Sequence, residues 1–154
     1  MKKIVLFLLL SGYLLADESS LKVVYDLTTG NVKEFKQKIL QGIVFNKAHY
    51  EREFKELDVS VVIHGGAYKF FFKTLKNTPY EKDKQLLKEF ESLKKRIASL
   101  SEIYDVEFNI CEVGLKNRKI QKKSLASFVK IIPNAAITLI DKQNNGFAYL
   151  RVGD

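Results

Sequence analysis

Short apolar runs alternate along this chain with stretches in which apolar residues recur every three or four positions. Lys22-Val23-Val24-Tyr25-Asp26-Leu27, Val59-Ser60-Val61-Val62-Ile63, Val106 to Cys111, Val129 to Ile132 and Phe147 to Val152 read as five strands. Between them, Val32, Phe35, Ile39, Ile43 and Asn46 carry the stripe of a helix running to about Phe54. Ala67 to Leu75 reads as a second helix, before the turn Asn77-Thr78-Pro79. The clearest period is Leu86, Phe90, Leu93, Ile97 and Leu100, a helix laid on a sheet. Lys119 to Ala126 reads as a short basic helix, and Pro133 suits the first turn of a last helix ending near Asn144-Asn145-Gly146. Regular strand–helix alternation needs crossover connections, which predicts an α/β fold: a three-layer α/β/α sandwich around a mainly parallel five-stranded sheet. Runs such as Val61-Val62-Ile63 fit strands covered on both sides.

The first sixteen residues break this pattern. Lys2 and Lys3 precede the apolar run Ile4 to Leu10, and Leu14-Leu15-Ala16 leads into Asp17-Glu18-Ser19-Ser20. That is the layout of a secretory signal peptide, 1–16, too short to span a bilayer, and it leaves residues 17–154 as a single domain. The expected location is periplasmic, with no membrane span after cleavage. Removing Lys2 and Lys3 with no acids lowers the formal charge from +8 to +6. A basic balance favours anionic partners. Export and the lack of zinc-finger spacing or an aromatic RNA-binding strand argue against nucleic acid. The expected partners are a small anion or an acidic protein.

Export also sharpens the meaning of Cys111, the sole cysteine. One thiol makes no internal disulfide, so it is either an inert core residue or a reactive group. In open α/β sheets ligands gather beyond the carboxyl ends of the strands. Three segments fall there: Thr28-Thr29-Gly30-Asn31, His64-Gly65-Gly66-Ala67, and Cys111. Five of the eight residues from Lys116 to Lys123 are basic, and Arg118 or Lys119 folded back over the thiol would favour its anion. His64 is placed to act as base or proton donor, or simply to bond a nearby backbone group. Gly65-Gly66 at a helix start would aim backbone N–H groups at an anion. Thr28 and Thr29 would bind an anion or cap the first helix. His49 and His64 with one cysteine have no metal-site spacing, and no cofactor is expected. Phe70, Phe71 and Phe72 beside Tyr68 cannot share one helix face, so one or more is expected to be covered by a neighbouring subunit.

A first strand ending in a small polar turn, a second ending in His64-Gly65, and a third carrying Cys111 before a basic segment resemble the DsrE/DsrF-like family. The ending Asn144-Asn145-Gly146-Phe147-Ala148-Tyr149-Leu150 is similar to that of its exported branch. The resemblance covers about residues 21–152. It implies the flavodoxin-like α/β/α sandwich, assembly as a homotrimer or homohexamer, and, as in the sulfur-relay subunits TusD and DsrE, a persulfide carried on Cys111. In those relatives the cysteine is followed by a small apolar stretch, two basic residues and a glycine. Here Glu112 replaces an apolar residue and Lys119 stands where glycine is usual. The resemblance thus implies a sulfur carrier or transferase with a sulfur-donor or acceptor protein as partner. The residues leave two alternatives open: a non-catalytic homo-oligomeric module binding a small anion or protein partner at the strand-end rim, and a redox sensor forming an intersubunit disulfide.

Overall fold

The computed structural model describes residues 20–153. The expected signal peptide, 1–16, lies outside them. Five strands, β1 (Leu21–Leu27), β2 (Leu57–Ile63), β3 (Val106–Cys111), β4 (Lys130–Ile132) and β5 (Ala148–Val152), form one sheet in the order β4-β3-β2-β1-β5. All four pairings are parallel. The α/β sandwich expected from the alternating pattern is the observed fold.

The crossovers explain its asymmetry. Each step from β1 through β4 adds a strand on the same side, so right-handed connections put their helices on one face. These are α1 (Val32–Phe35) and α2 (Gly42–Arg52), joined by a π-helical stretch Lys36–Gln41, and α3 (Lys84–Glu102). The step from β4 to β5 runs back across the sheet, so α5 (Ala135–Asn144) covers the opposite face, against β1 and β2. The first face carries the main core, including Tyr25, Val61, Phe108 and Ile110 from the strands and Phe35, Ile39, Leu93 and Ile97 from the helices. Among the described residues, the apolar cluster on the second is small: Val24, Val62, Cys111 and Ala135, with Ile132, Leu139 and Phe147 at its edge.

Three predicted elements differ. The segment after β2 is not a helix to Leu75 but a 3₁₀ turn, Ala67–Phe70, followed by irregular chain. Irregular backbone lets consecutive side chains point inward, so Tyr68, Phe70, Phe71 and Phe72 are all buried within the subunit, at 0–2% exposure. Phe70 stacks on Phe35 at 4.1 Å and Phe71 packs on Phe108, so no neighbouring subunit is needed to cover them. The basic helix predicted at Lys119 to Ala126 forms earlier, as α4 (Glu112–Asn117), leaving only a 3₁₀ turn at Lys122–Ser124. Lys119 stops it, at φ +54°. Its N–H donates to Lys116 O and that of Ile120 to Leu115 O, the paired bonds of a Schellman cap. Finally, Pro133 lies outside the last helix. Asn134 caps α5, its side chain accepting from the Ala136 and Ile137 amides.

Candidate functional site

The carboxyl ends of β1, β2 and β3 bring the three predicted segments to one rim. Thr28 O accepts from the Gly66 amide at 2.7 Å, and the Thr28 and Thr29 amides both donate to Val152 O, at 2.8 and 3.2 Å. Gly65 makes this approach possible: it sits at φ +60°, and a Cβ there would lie 2.8 Å from Thr28 O. Gly30 packs against Gly66. These bonds correct two expectations. The Gly66 amide is spent on the chain itself, and the turn that follows is too short to act as a helix N-terminus toward an anion. The first helix is capped not by Thr28 or Thr29 but by Asn31, whose Oδ1 accepts from the Lys33 and Glu34 amides. Thr29, fully buried, accepts from the Asn31 amide through Oγ1.

Cys111 closes β3 and is itself the N-cap residue of α4. It is 6% exposed and packs with Val24, Val62 and Ala135 on the α5 side of the sheet. Its carbonyl accepts a 2.9 Å bond from the Tyr68 hydroxyl. Burial, reinforced by the neighbouring Cys111, pushes the Tyr68 phenol well above its usual range, so the hydroxyl stays a donor. The Tyr68 tip reaches this carbonyl only because residue 114 has no side chain: a Cβ on Gly114 would fall 1.9 Å from that oxygen.

The basic residues after the cysteine divide. Arg118 folds back over the rim. Its guanidinium lies 4.7 Å from the Tyr68 ring centroid and donates to Gly65 O at 2.7 Å and Gly114 O at 3.4 Å. It thus ties the β2 loop to α4 beside Cys111. Lys122 and Lys116 instead bracket Glu112 at 2.5 and 3.5 Å, and Lys122 foremost holds that carboxyl below its ordinary range. Lys119 is exposed and serves the helix stop.

His64 lies one step beyond the paired Ile63 and Ile110, which sets it beside Cys111 on the neighbouring strand end. Both side chains occupy the α5 face. The imidazole Nε2 is 2.5 Å from Asp26 Oδ1, and the Tyr149 hydroxyl donates to Asp26 Oδ2 at 2.6 Å. Bonding to Asp26 raises the Tyr149 phenol pKa, keeping it a donor. A polar diagonal therefore crosses four adjacent strands: Cys111 on β3, His64 after β2, Asp26 on β1 and Tyr149 on β5. Sequence reasoning picked its first two members and missed the others. Asp26 carried a usable signal, as the one acid in the run Val23 to Leu27. Tyr149 had none beyond its strand. Among the described residues no group of three or more His, Cys, Asp or Glu is placed to hold a metal ion. His49 lies on α2, 3.3 Å from Glu53.

Such an arrangement can hold a thiol beside an oriented imidazole at a sheet rim. Comparison with known proteins bears on what that serves. The profile of the DsrE/DsrF-like family matches residues 22–152. An uncharacterized protein of Aquifex aeolicus (strain VF5) is 31% identical over 150 residues, which are 97% of this chain and 63% of that protein. The chain therefore spans somewhat under two thirds of that relative. The solved structure of MTH1491, a protein of unknown function from Methanobacterium thermoautotrophicum, superimposes with a TM-score of 0.59 at 15% identity. It covers 86% of this chain and 99% of its own. At that identity the likeness speaks for the fold.

Proposed function

Since the chain belongs to the DsrE/DsrF-like family, a family tied to sulfur relay, we propose that it is an exported sulfur carrier that holds sulfane sulfur as a persulfide on Cys111. The observation that carries this reading is the placement of Cys111 and His64 side by side on one face of the sheet rim. In the proposed step, His64 takes the Cys111 thiol proton. The thiolate sulfur then attacks the outer sulfur of a persulfide or polysulfide donor. One S–S bond forms on Cys111 and the donor's S–S bond breaks, its inner sulfur leaving as a thiolate that regains the proton. No oxidant is consumed. Arg118, 2.7 Å from Gly65 O, supplies fixed positive charge at the same rim. An acceptor thiol on a partner protein would take the sulfur by the same exchange.

Assembly as a homotrimer or homohexamer belongs to the proposal. Ile137 and Ile140 on α5, each 57% exposed, and Tyr149 on β5, at 41%, give the subunit unpartnered apolar surface beside the site. The periplasmic location rests on the pattern of residues 1–16.

The test is the intact mass of the natively produced protein before and after polysulfide treatment, with Cys111→Ser as control and light scattering on the same samples. Wild type is expected to lack residues 1–16, to run as an oligomer and to gain whole sulfur atoms that a reductant removes. The serine variant should gain none. One observation favours a second reading, a non-catalytic module engaging a protein partner at the rim: Cys111 is 6% exposed. No added sulfur, with a thiol that resists alkylation until the protein unfolds, would decide for that reading.

A further inference from the structure

Asp26 is 8% exposed, flanked by Tyr25 and Leu27, and its face neighbours on β1 and β2 are Val24 and Val62. A carboxylate in such surroundings is expensive to desolvate, by several kcal/mol in general, and an apolar residue would fill the space more cheaply. Its two oxygens are used separately, one by His64 Nε2 and one by the Tyr149 hydroxyl. An ionised carboxylate only accepts, so both neighbours donate to it. That assigns the imidazole tautomer: the proton sits on Nε2, and the lone pair is left on Nδ1.

We infer that Asp26 and Tyr149 are positioning residues for His64, holding its ring so that Nδ1 is the atom that receives the Cys111 proton. The inference rests on the sulfur-carrier reading for its purpose, but its geometry stands apart from it. Tyr149 comes from the edge strand and approaches Asp26 from the far side. It locks the carboxylate's second oxygen, so the carboxylate cannot rotate away from the ring. The proton step balances without any added group: Cys111 S–H loses the proton, Nδ1 gains it, and the imidazolium returns it to the departing donor thiolate. Asp26 keeps its charge throughout and stabilises the imidazolium across the 2.5 Å contact.

The test pairs a spectroscopic with a kinetic readout on the full-length protein. The ¹⁵N shifts of His64 report which nitrogen is protonated, and the rates of Cys111 alkylation by iodoacetamide and of sulfur loading from polysulfide report its use. Wild type is expected to show the Nε2–H tautomer. Asp26→Asn, whose amide can donate to Nε2, should reverse or mix the tautomers and slow both rates about tenfold or more, matching His64→Gln. Tyr149→Phe removes one hydrogen bond at a partly exposed residue and keeps the subunit folded should Asp26→Asn unfold it. It should retain the tautomer and slow the rates by about two- to fivefold. An Nδ1–H tautomer in wild type, or rates unchanged in both variants, would overturn the inference. Loading that persists at wild-type rate in Asp26→Asn sinks the inference and leaves the carrier reading standing. Tautomer and alkylation effects as expected in a protein that never loads sulfur would sink the carrier reading alone.

Discussion

Gly114→Ala is the sharpest probe of how this fold presents its cysteine. The added carbon would lie 1.9 Å from the Tyr68 hydroxyl oxygen, 2.5 Å from Cζ and 2.9 Å from Cε2. Tyr68 has nowhere to go. It is fully buried, its ring lies under the Arg118 guanidinium, and its hydroxyl is bonded to Cys111 O. Either the ring retreats, leaving a buried hydroxyl and a carbonyl unpaired at about 1–3 kcal/mol, or α4 is pushed outward at a comparable overpacking cost. Alanine's better helix propensity returns at most about 1 kcal/mol. A net loss of about 2 kcal/mol is expected, read as a lower urea midpoint at unchanged slope. Because the closest clash is with the hydroxyl oxygen, Tyr68→Phe should partly relieve it. The double variant should be more stable than the sum of the singles by about 1–2 kcal/mol, the remainder staying with the ring carbon at 2.5 Å. A Gly114→Ala protein as stable as wild type, or strict additivity in the cycle, would refute the claim that Tyr68 and residue 114 compete for one space.

Lys119→Gly should raise stability by about 1 kcal/mol and the melting temperature by about 2–4 °C, since glycine occupies the left-handed conformation at φ +54° without the penalty a side chain carries there. Lys119→Ala should give no such gain in the same urea titration, and equal behaviour of the two would refute the strain argument. Glu107 yields a pH dependence. Burial acts to raise its carboxyl, but hydrogen bonds from Lys142, Lys130 and Asn109 outweigh it and bring the carboxyl to about 2, below the ordinary 4.5. A depressed carboxylate stabilises the fold above its unfolded value, and that contribution is lost as pH falls from about 4.5 toward 2. Between pH 5 and pH 2, Glu107→Gln should therefore lose less stability than wild type. Parallel curves would show that the lysine contacts contribute nothing.

The fold was legible where a single physical rule dominates. β-branched runs with turn residues at their ends marked the strands, and Leu86 to Leu100 marked α3, whose N-cap Asp83 accepts from the Leu86 amide. The segment after β2 was not legible, because four large aromatics in five positions satisfy no period. Burial of all of them overrode helical propensity. The helix after Cys111 was misplaced for a different reason. Gly114 looks like poor helix material beside the lysines that follow. Yet Glu112 is stabilised at the start of the helix by Lys116 and Lys122, and Gly114 is demanded by Tyr68, a residue 46 positions earlier.

The same distinction separates the two halves of the candidate site. Cys111 and His64 are visible as residue types at strand ends, a position the topology of any parallel sheet makes prominent. Asp26 and Tyr149 act through pairing across 123 residues of sequence, and that pairing exists only because the last crossover returns over the sheet and sets β5 beside β1. The consequence reaches the chemistry. Had β5 joined the sheet beyond β4, Asp26 would face solvent along an edge strand, its second oxygen unheld and His64 without a rigid anchor. The crossover that leaves one face of the sheet thinly covered thus also delivers the tyrosine that fixes the carboxylate. The α5 face is therefore where the thiol, the imidazole and the unpartnered surface of Ile137 and Ile140 occur together.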